Sequence, residues 1–290
     1  MALDDLKYNF EVIETEIAPG VTIAHTDMGD GEPVVFIHGL GSYVPAWDKN
    51  LTSLSQHFRC IAIDLPGYGK SSKLLHSGTM DYYGLVVVTL MNKLGIDKFS
   101  VCGHSMGGVI ALKIAIDHGD RLNKMILVAP GGAETYSEDE KFLVRSYLNA
   151  EKIISNDDEQ IANNVKVNFH NFPEDAQFMI DDRIAMRNFP WFRDHAEIVA
   201  RSAAGVVNSD VPYRLGEVTV PTLGIFGVND KMIPNRFVHP WLTVDDVVKT
   251  FRNEIKKIET VLLPGCGHFI QFEQPDIVNP LLIDFLKASN

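Results

Sequence analysis

Short continuous runs of hydrophobic residues alternate along this chain with stretches of helical periodicity. Runs of this kind are typical of strands buried on both faces of a sheet. They predict strands over residues 33–37, 60–63, 99–102, 124–129, 218–226 and 259–263. The intervening periodicity predicts helices over residues 45–56, 79–94, 109–117, 240–256 and 276–288. Residues 7–17 and 20–27 alternate between polar and apolar and predict an opening antiparallel hairpin.

The alternation stops at residues 130–132 and resumes near residue 216. The segment between contains no convincing strand pattern, and it predicts four helices over residues 137–150, 157–170, 174–188 and 192–207. We therefore predict an α/β protein with an eight-stranded, mostly parallel sheet flanked by helices. Residues 1–130 and 216–290 would form this core, and residues 131–215 an inserted all-helical cap.

Composition narrows the range of partners. Of the 290 residues, 46% are hydrophobic, and the net charge is −12. Nucleic acids and anionic membranes both require clustered Lys and Arg, so neither is expected as a partner. The first residues resemble no secretory signal, and no apolar run of about 18 residues occurs. We expect a cytoplasmic monomer or homodimer that acts on a small molecule.

The cysteines and histidines show no metal-binding spacing. Cys60, Cys102 and Cys266 lie far apart, and the first two fall in apolar runs, so buried free thiols are expected. The ten histidines lack spacings such as His-Glu-x-x-His. We therefore predict neither a metal nor a cofactor.

One short stretch carries a candidate nucleophile. Residues 103–108 read Gly-His-Ser-Met-Gly-Gly and lie between a predicted strand and a predicted helix. A serine on a sharp strand-to-helix turn needs small neighbours, because the strained backbone brings the flanking residues together. Ser105 is the predicted nucleophile.

A serine hydroxyl needs a base, and the base needs an orienting acceptor. His268 follows the last predicted strand, after a loop in which glycines flank Cys266, and we predict it as the base. Asp230 ends the strand before that and is the predicted orienter. The competing carboxylates are less well placed: Asp64 in a Pro-Gly loop, Asp245 and Asp246 within a helix, and Glu134 five residues beyond its strand.

With these residues in the order Ser, Asp, His, the chain resembles the α/β-hydrolase superfamily, in particular its serine-nucleophile members with a helical cap. The resemblance covers nearly the whole length. It rests on five motifs: residues 38–41 (His-Gly-Leu-Gly), 64–71 (Asp-Leu-Pro-Gly-Tyr-Gly-Lys-Ser), 103–108, 227–230 followed by Pro234, and Gly267-His268.

The resemblance implies an oxyanion hole formed by the backbone N–H groups of Leu40 and Met106. It also implies structural roles for His38 and His104. Haloalkane dehalogenases and epoxide hydrolases of this fold use an aspartate where this chain has Ser105, so those reactions are not expected.

The main functional prediction is an acyl-enzyme hydrolase, a carboxylesterase for small or medium uncharged esters. The first alternative is a C–C bond hydrolase that cleaves vinylogous diketones. Those relatives more often have Asn before the serine and Trp after the histidine, whereas this chain has His104 and Phe269. The second alternative is a ligand receptor that retains the triad.

The predicted cap has fifteen acidic and nine basic residues, a field that does not favour an anionic substrate unless a buried arginine reverses it locally. Candidates for such an arginine are Arg183, Arg187 and Arg193. An aromatic cluster at residues 189–192 is interpreted as helix-packing core rather than as pocket lining.

Overall fold

The computed structural model describes residues 6–288, and its centre is an eight-stranded sheet. The strand order is β1-β2-β4-β3-β5-β6-β7-β8. Strands β1, β2 and β4 pair antiparallel, and all other neighbours pair in parallel, as predicted. The strands are β1 Ile13–Ala18, β2 Val21–His25, β3 Pro33–Ile37, β4 Arg59–Ile63, β5 Phe99–His104, β6 Leu122–Val128, β7 Thr222–Gly227 and β8 Ile258–Leu263.

The α-helices of the described residues either cover the two faces of this sheet or lie in the predicted cap. They are α1 Asp48–Leu54, α2 Met80–Lys93, α3 Met106–Asp117, α4 Glu138–Tyr147, α5 Ala150–Ser155, α6 Asp158–Lys166, α7 Gln177–Met186, α8 Phe192–Val207, α9 Val244–Glu254, α10 Ile270–Glu273 and α11 Pro275–Lys287. No helix among residues 6–288 is both long and apolar enough to cross a membrane.

The continuous apolar runs are explained by two cores, one on each face. Successive strand side chains point to opposite faces. Val35 and Ile37 of β3 therefore pack in the core that includes α2, α3 and α9. Val34 and Phe36 of the same strand pack in the core that includes α1 and α11. Strand residues that face either side of the sheet must therefore be apolar, which produces continuous apolar runs. The predicted α/β class is confirmed.

Several element boundaries differ from the predictions. The first strand begins at Ile13 rather than at residue 7, because the preceding segment crosses to the core, where the Tyr8 hydroxyl donates to Asp64 Oδ2 at 2.5 Å. Strand β7 begins at Thr222, since residues 218–221 lie in an extended connection after two short 3₁₀ turns. The periodicity also missed two short helices, α5 and α10.

The segment between β6 and β7 holds five helices, α4 to α8, rather than the four predicted. Asn149 begins the additional helix, α5, because its side chain accepts a hydrogen bond from the N–H of Lys152. The longest cap helix, α8, packs against α4 and α5 and also contacts α2 of the core. The limits 131–215 proposed for the cap remain a prediction.

The cysteines are as predicted. Cys60, Cys102 and Cys266 are buried and free. Burial raises the pKa of the Cys60 and Cys266 thiols to about 12, so both are protonated at neutral pH.

The contact between α3 and the end of β3 leaves no room for a side chain at Gly107. A Cβ atom there would lie 2.2 Å from the carbonyl oxygen of Ile37. Because only backbone could move to relieve the clash, we expect Gly107→Ala to reduce the free energy of unfolding by about 3 kcal/mol or more. Gly119→Ala is the control, since a Cβ at that position meets no atom within 4 Å. Urea unfolding of both variants tests this, and equal stabilities would contradict the close approach.

Candidate active site

Ser105 lies on the strained turn that the sequence predicts. It follows β5 directly and precedes α3, with φ 55° and ψ −116°. A non-glycine residue at positive φ is uncommon and costs of the order of 1–3 kcal/mol. The flanking glycines make the turn sterically feasible, because a Cβ at Gly103 would lie 2.2 Å from the oxygen of Gly107. The turn presents Ser105 to the cavity beneath the cap.

His268 and Asp230 meet at the carboxyl end of the sheet. Nδ1 of His268 lies 2.8 Å from Oδ2 of Asp230, and both residues are buried. Since a carboxylate only accepts, Nδ1 carries the proton and Nε2 is left as an acceptor. The other oxygen of Asp230 accepts from the backbone N–H groups of Met232, at 2.7 Å, and Ile233, at 3.0 Å. The carboxylate is thereby fixed in orientation, and His268 lines the same cavity as Ser105.

The two predicted oxyanion donors border the same cavity. Met106 is the first residue of α3, where a backbone N–H has no partner within the helix. Neither its N–H nor that of Leu40 donates a hydrogen bond to another described residue. Gly39 brings the Leu40 loop against the turn, since a Cβ at Gly39 would lie 3.1 Å from Cβ of Ser105.

The two neighbouring histidines hold backbone in place. His38 is fully buried, and its Nδ1 donates to the oxygen of Gly39 at 2.8 Å while its Nε2 accepts from the N–H of Leu65 at 3.1 Å. His104 donates from Nε2 to the carbonyl oxygen of His268 at 2.9 Å. Burial lowers the pKa of both rings, so both are neutral at physiological pH. The contact between His104 and the His268 loop was not predicted from the sequence.

The competing carboxylates have other partners. Asp64 accepts from the N–H groups of Val44, at 2.8 Å, and Lys70, at 2.7 Å, in addition to the Tyr8 hydroxyl. Glu134 is buried and bonds to Nδ1 of His239 at 2.7 Å. Among these carboxylates, only Asp230 bonds to His268.

A segment of the cap is hydrogen-bonded to the loop that carries His268. The carbonyl oxygen of Asn168 accepts from the N–H groups of His268, at 2.7 Å, and Phe269, at 3.2 Å. Glu273 joins the same two parts: Oε1 accepts from the N–H of His170 at 2.9 Å, and Oε2 from that of Gly267 at 2.6 Å. Sequence reasoning missed these residues, because a backbone acceptor and a single glutamate that contacts a distant segment leave no local pattern in a sequence.

A cavity of about 550 Å³ lies between the core and the cap. This size is in the usual range for small-molecule sites. Ser105 and His268 lie on its core side, and most of the remaining lining comes from α4 to α8. Phe192 of the aromatic cluster lines the cavity, whereas Phe189 is buried against Met186, so the packing interpretation holds for only part of the cluster.

The three candidate arginines differ sharply in position. Arg187 pairs with Asp158, and Arg193 pairs with Glu151 in an exposed bridge at 2.9 Å. Arg183 lines the cavity and donates from Nη2 to the carbonyl oxygen of Gly41 at 2.7 Å, next to the Leu40 loop. Arg183 forms no ion pair with any residue in the range 6–288.

A second cavity residue was overlooked in the sequence. His195 lies on α8, and it shares the cavity-facing side of that helix with Phe192, Val199, Ala203 and Val206. Spacings of three and four residues place these side chains on one face of the helix. The sequence therefore did contain a signal, because a histidine within an apolar helical stripe is expected to be a buried polar residue.

Comparison with known proteins agrees with the fold. A sequence model described as the alpha/beta hydrolase fold matches residues 32–275. A probable hydrolytic enzyme from Pseudomonas aeruginosa PAO1 shares the fold, with a TM-score of 0.84 at 20% identity over 98% of this chain and 96% of that one. The chain belongs to the α/β-hydrolase family, and it is a hydrolase.

Two curated relatives carry more specific names. A 2-hydroxy-6-oxononadienedioate/2-hydroxy-6-oxononatrienedioate hydrolase from Cupriavidus pinatubonensis is 30% identical over 276 residues, which are 90% of this chain and 89% of the relative. A 2-hydroxy-6-oxo-6-phenylhexa-2,4-dienoate hydrolase from Burkholderia cepacia is 30% identical over 278 residues, with 90% and 89% coverage. The chain is similar to both over nearly its full length.

We propose that Asp230 keeps the Nδ1 proton of His268 in place, so that Nε2 can act as a base toward Ser105. In Asp230→Asn, the amide oxygen would retain the two backbone contacts, and the NH₂ group would face Nδ1 and disfavour the required tautomer. We expect kcat to fall about 10⁴-fold with little change in fold. Steady-state kinetics and circular dichroism measure the two effects, with Asp245→Asn, at an exposed position of α9, as the control. A near-normal rate would show that Asp230 is not the orienting residue.

Proposed function

We propose that this chain is a serine hydrolase that cleaves 2-hydroxy-6-oxo-dienoates. The bond that breaks joins C5 to C6, the carbon of the 6-oxo group. The names of its two curated relatives support this substrate class. Both names describe molecules with a carboxylate at carbon 1, a hydroxyl group at carbon 2 and a ketone at carbon 6, and the dioate carries a second carboxylate at its far end. A site for such a molecule needs a cation for the carboxylate at some distance from the nucleophile.

The position of Arg183 in the cavity wall is the main structural support for this proposal. Its guanidinium is half-buried on the cavity wall, without a carboxylate partner among the described residues. Burial lowers the pKa of Arg183, which reflects the cost of enclosing an uncompensated cation. An anionic substrate group would offset that cost. The cap's excess of acidic residues does not oppose this, since the cavity itself contains a cation.

Arginine also suits a carboxylate geometrically, because its planar fork donates two parallel hydrogen bonds. One N–H group already bonds to Gly41 beside the predicted oxyanion loop. The guanidinium is therefore held in place relative to Ser105 before a substrate arrives. A substrate bound through its carboxylate would be positioned with its distant carbonyl group near the nucleophile.

Cleavage of the C–C bond is preceded by a tautomerisation of the substrate. The 2-hydroxyl proton first moves to C5, which makes C2 a ketone. Ser105 Oγ then bonds to C6 and gives its proton to Nε2 of His268, while the N–H groups of Leu40 and Met106 stabilise the oxyanion. The C5–C6 bond breaks, its electron pair moves into the dienolate that ends on the C2 oxygen, and His268 returns the proton. Water then releases the acyl group as a carboxylic acid.

An ester hydrolase is the second candidate function. It is favoured by His104 and Phe269, which stand where C–C hydrolases more often have Asn and Trp. These two rings pack against each other with centroids 4.8 Å apart, and they alter the surroundings of His268. The same nucleophile, base and oxyanion donors would serve either reaction. The two functions are therefore distinguished by which substrate the enzyme cleaves.

Substituting Arg183 tests the substrate class. With 2-hydroxy-6-oxo-6-phenylhexa-2,4-dienoate as the substrate, we expect Arg183→Gln to lower kcat/KM about 10- to 100-fold, since a charge-assisted hydrogen bond is lost. Arg187→Gln is the control, because Arg187 lies at the end of the same helix and pairs with Asp158. Release of benzoate measures the C–C cleavage. With uncharged p-nitrophenyl butyrate, we expect the Arg183 variant to lose much less.

Three results would contradict parts of this account. Rapid hydrolysis of p-nitrophenyl esters without any release of benzoate from the dienoate would favour the esterase. Equal losses for the charged and the uncharged substrate would show that Arg183 supports the fold rather than the substrate. Benzoate release that persists in Ser105→Ala at the normal rate would remove Ser105 as the nucleophile.

A further inference from the structure

His195 introduces a second polar group into the wall of the cavity. It projects from α8, is 7% exposed and lines the cavity together with Arg183 of α7. The apolar side chains of Met186 and Phe192 line the cavity as well. A polar atom in such surroundings is costly unless it has a hydrogen-bond partner.

The hydrogen bonds of His195 fix its tautomer. Nδ1 lies 2.7 Å from the carbonyl oxygen of Gly67. A carbonyl oxygen only accepts, so Nδ1 carries the proton and Nε2 is an acceptor. Nε2 makes no hydrogen bond to any residue in the described part of the chain, and it is not among the fully enclosed polar atoms. Because the residue lines the cavity, this acceptor is available to a ligand.

The ring is neutral in its resting state. Burial lowers the pKa of His195 to about 4, and the cations Lys73 and Arg183 act in the same direction. The neutral Nε2 atom of His195 does not attract a carboxylate, but it requires a hydrogen-bond donor from the ligand. Arg183 only donates and requires an acceptor. Together the two side chains match a ligand in which a hydroxyl group lies next to a carboxylate.

We propose that His195 is a specificity-determining residue whose Nε2 accepts a hydrogen bond from the 2-hydroxyl of a 2-hydroxycarboxylate that Arg183 holds by its carboxylate. This inference rests on the proposed function, which supplies the substrate class. The 2-hydroxyl is present in the substrate before its proton moves to C5, and the dienol product regains it. His195 thus selects the hydroxylated acid over the same acid without the hydroxyl group.

Two substitutions separate the acceptor from the anchor. In His195→Asn, the side-chain amide can replace Nδ1 and donate to Gly67, but it is too short to reach the position of Nε2. In His195→Gln, the longer side chain places an amide oxygen near that position and so restores an acceptor. The pair therefore distinguishes a lost hydrogen bond to the ligand from a general disturbance of α8.

The experiment measures binding by isothermal titration calorimetry of the full chain with hexanoate and with each enantiomer of 2-hydroxyhexanoate. We expect one enantiomer of the hydroxy acid to bind about tenfold more tightly than hexanoate. In His195→Asn this preference should fall to about twofold or less, with hexanoate affinity nearly unchanged. In His195→Gln, the difference in binding free energy between the preferred hydroxy acid and hexanoate should recover to at least half of its value in the unsubstituted protein. Thermal unfolding confirms that each variant is folded.

Equal affinity for hexanoate and both hydroxy acids would overturn the inference, as would a preference that survives in His195→Asn. Failure of every acid to bind would overturn it as well, because Arg183 would then not hold a carboxylate. The readout needs no turnover. If the enzyme failed to cleave a dienoate but preferred the hydroxy acid through His195, the proposed reaction would be wrong and the assignment of His195 would stand.

Discussion

The structure depends on how closely the backbone of β5 and α3 approaches the end of β3. Ser105 adopts a positive φ only because glycines stand on either side of it, and Gly107 lies against the carbonyl oxygen of Ile37. The same contact brings the Leu40 loop beside the first turn of α3. Strain at Ser105, two N–H groups without a partner among the described residues and a serine that lines the cavity are thus consequences of a single packing constraint. The cost of that strain, about 1–3 kcal/mol, is offset by the two cores on the faces of the sheet.

The cap completes the site in a way that the sheet alone cannot. Its Asn168 carbonyl and the Glu273 carboxylate connect the cap to the loop of His268, and the rings of Phe169 and Phe269 stack with centroids 5.0 Å apart. His268, the proposed base, is therefore positioned by both parts of the protein. Helices α7 and α8 contribute the cation and the neutral acceptor that we assign to substrate selection, with Arg183 beside the Leu40 loop and His195 in the cavity wall. We propose that the core determines how a bond is attacked and that the cap determines which molecule is held.

The sequence predicted the core well because each element there leaves a local signal. The apolar run of β5, the glycines around Ser105 and the polar residues at strand ends all reflect constraints within a few positions. The short helix α5 and the shortened first strand were missed, because an asparagine cap and a tertiary hydrogen bond from Tyr8 decide them. Arg183 could be named as a candidate but not placed, since three arginines of the cap have the same local appearance. The expected uncharged ester followed from net charge, which says little about the interior of a cavity.

The most direct test of this account is a crystal structure of Ser105→Ala with 2-hydroxy-6-oxo-6-phenylhexa-2,4-dienoate bound. We predict that the carboxylate will form a bidentate pair with Arg183 and that the C6 carbonyl oxygen will lie about 3 Å from the N–H groups of Leu40 and Met106. A complex with the phenyl group at Arg183, or with the carboxylate in the solvent-facing part of the cavity, would contradict the proposed substrate orientation. It would also remove Arg183 from substrate recognition.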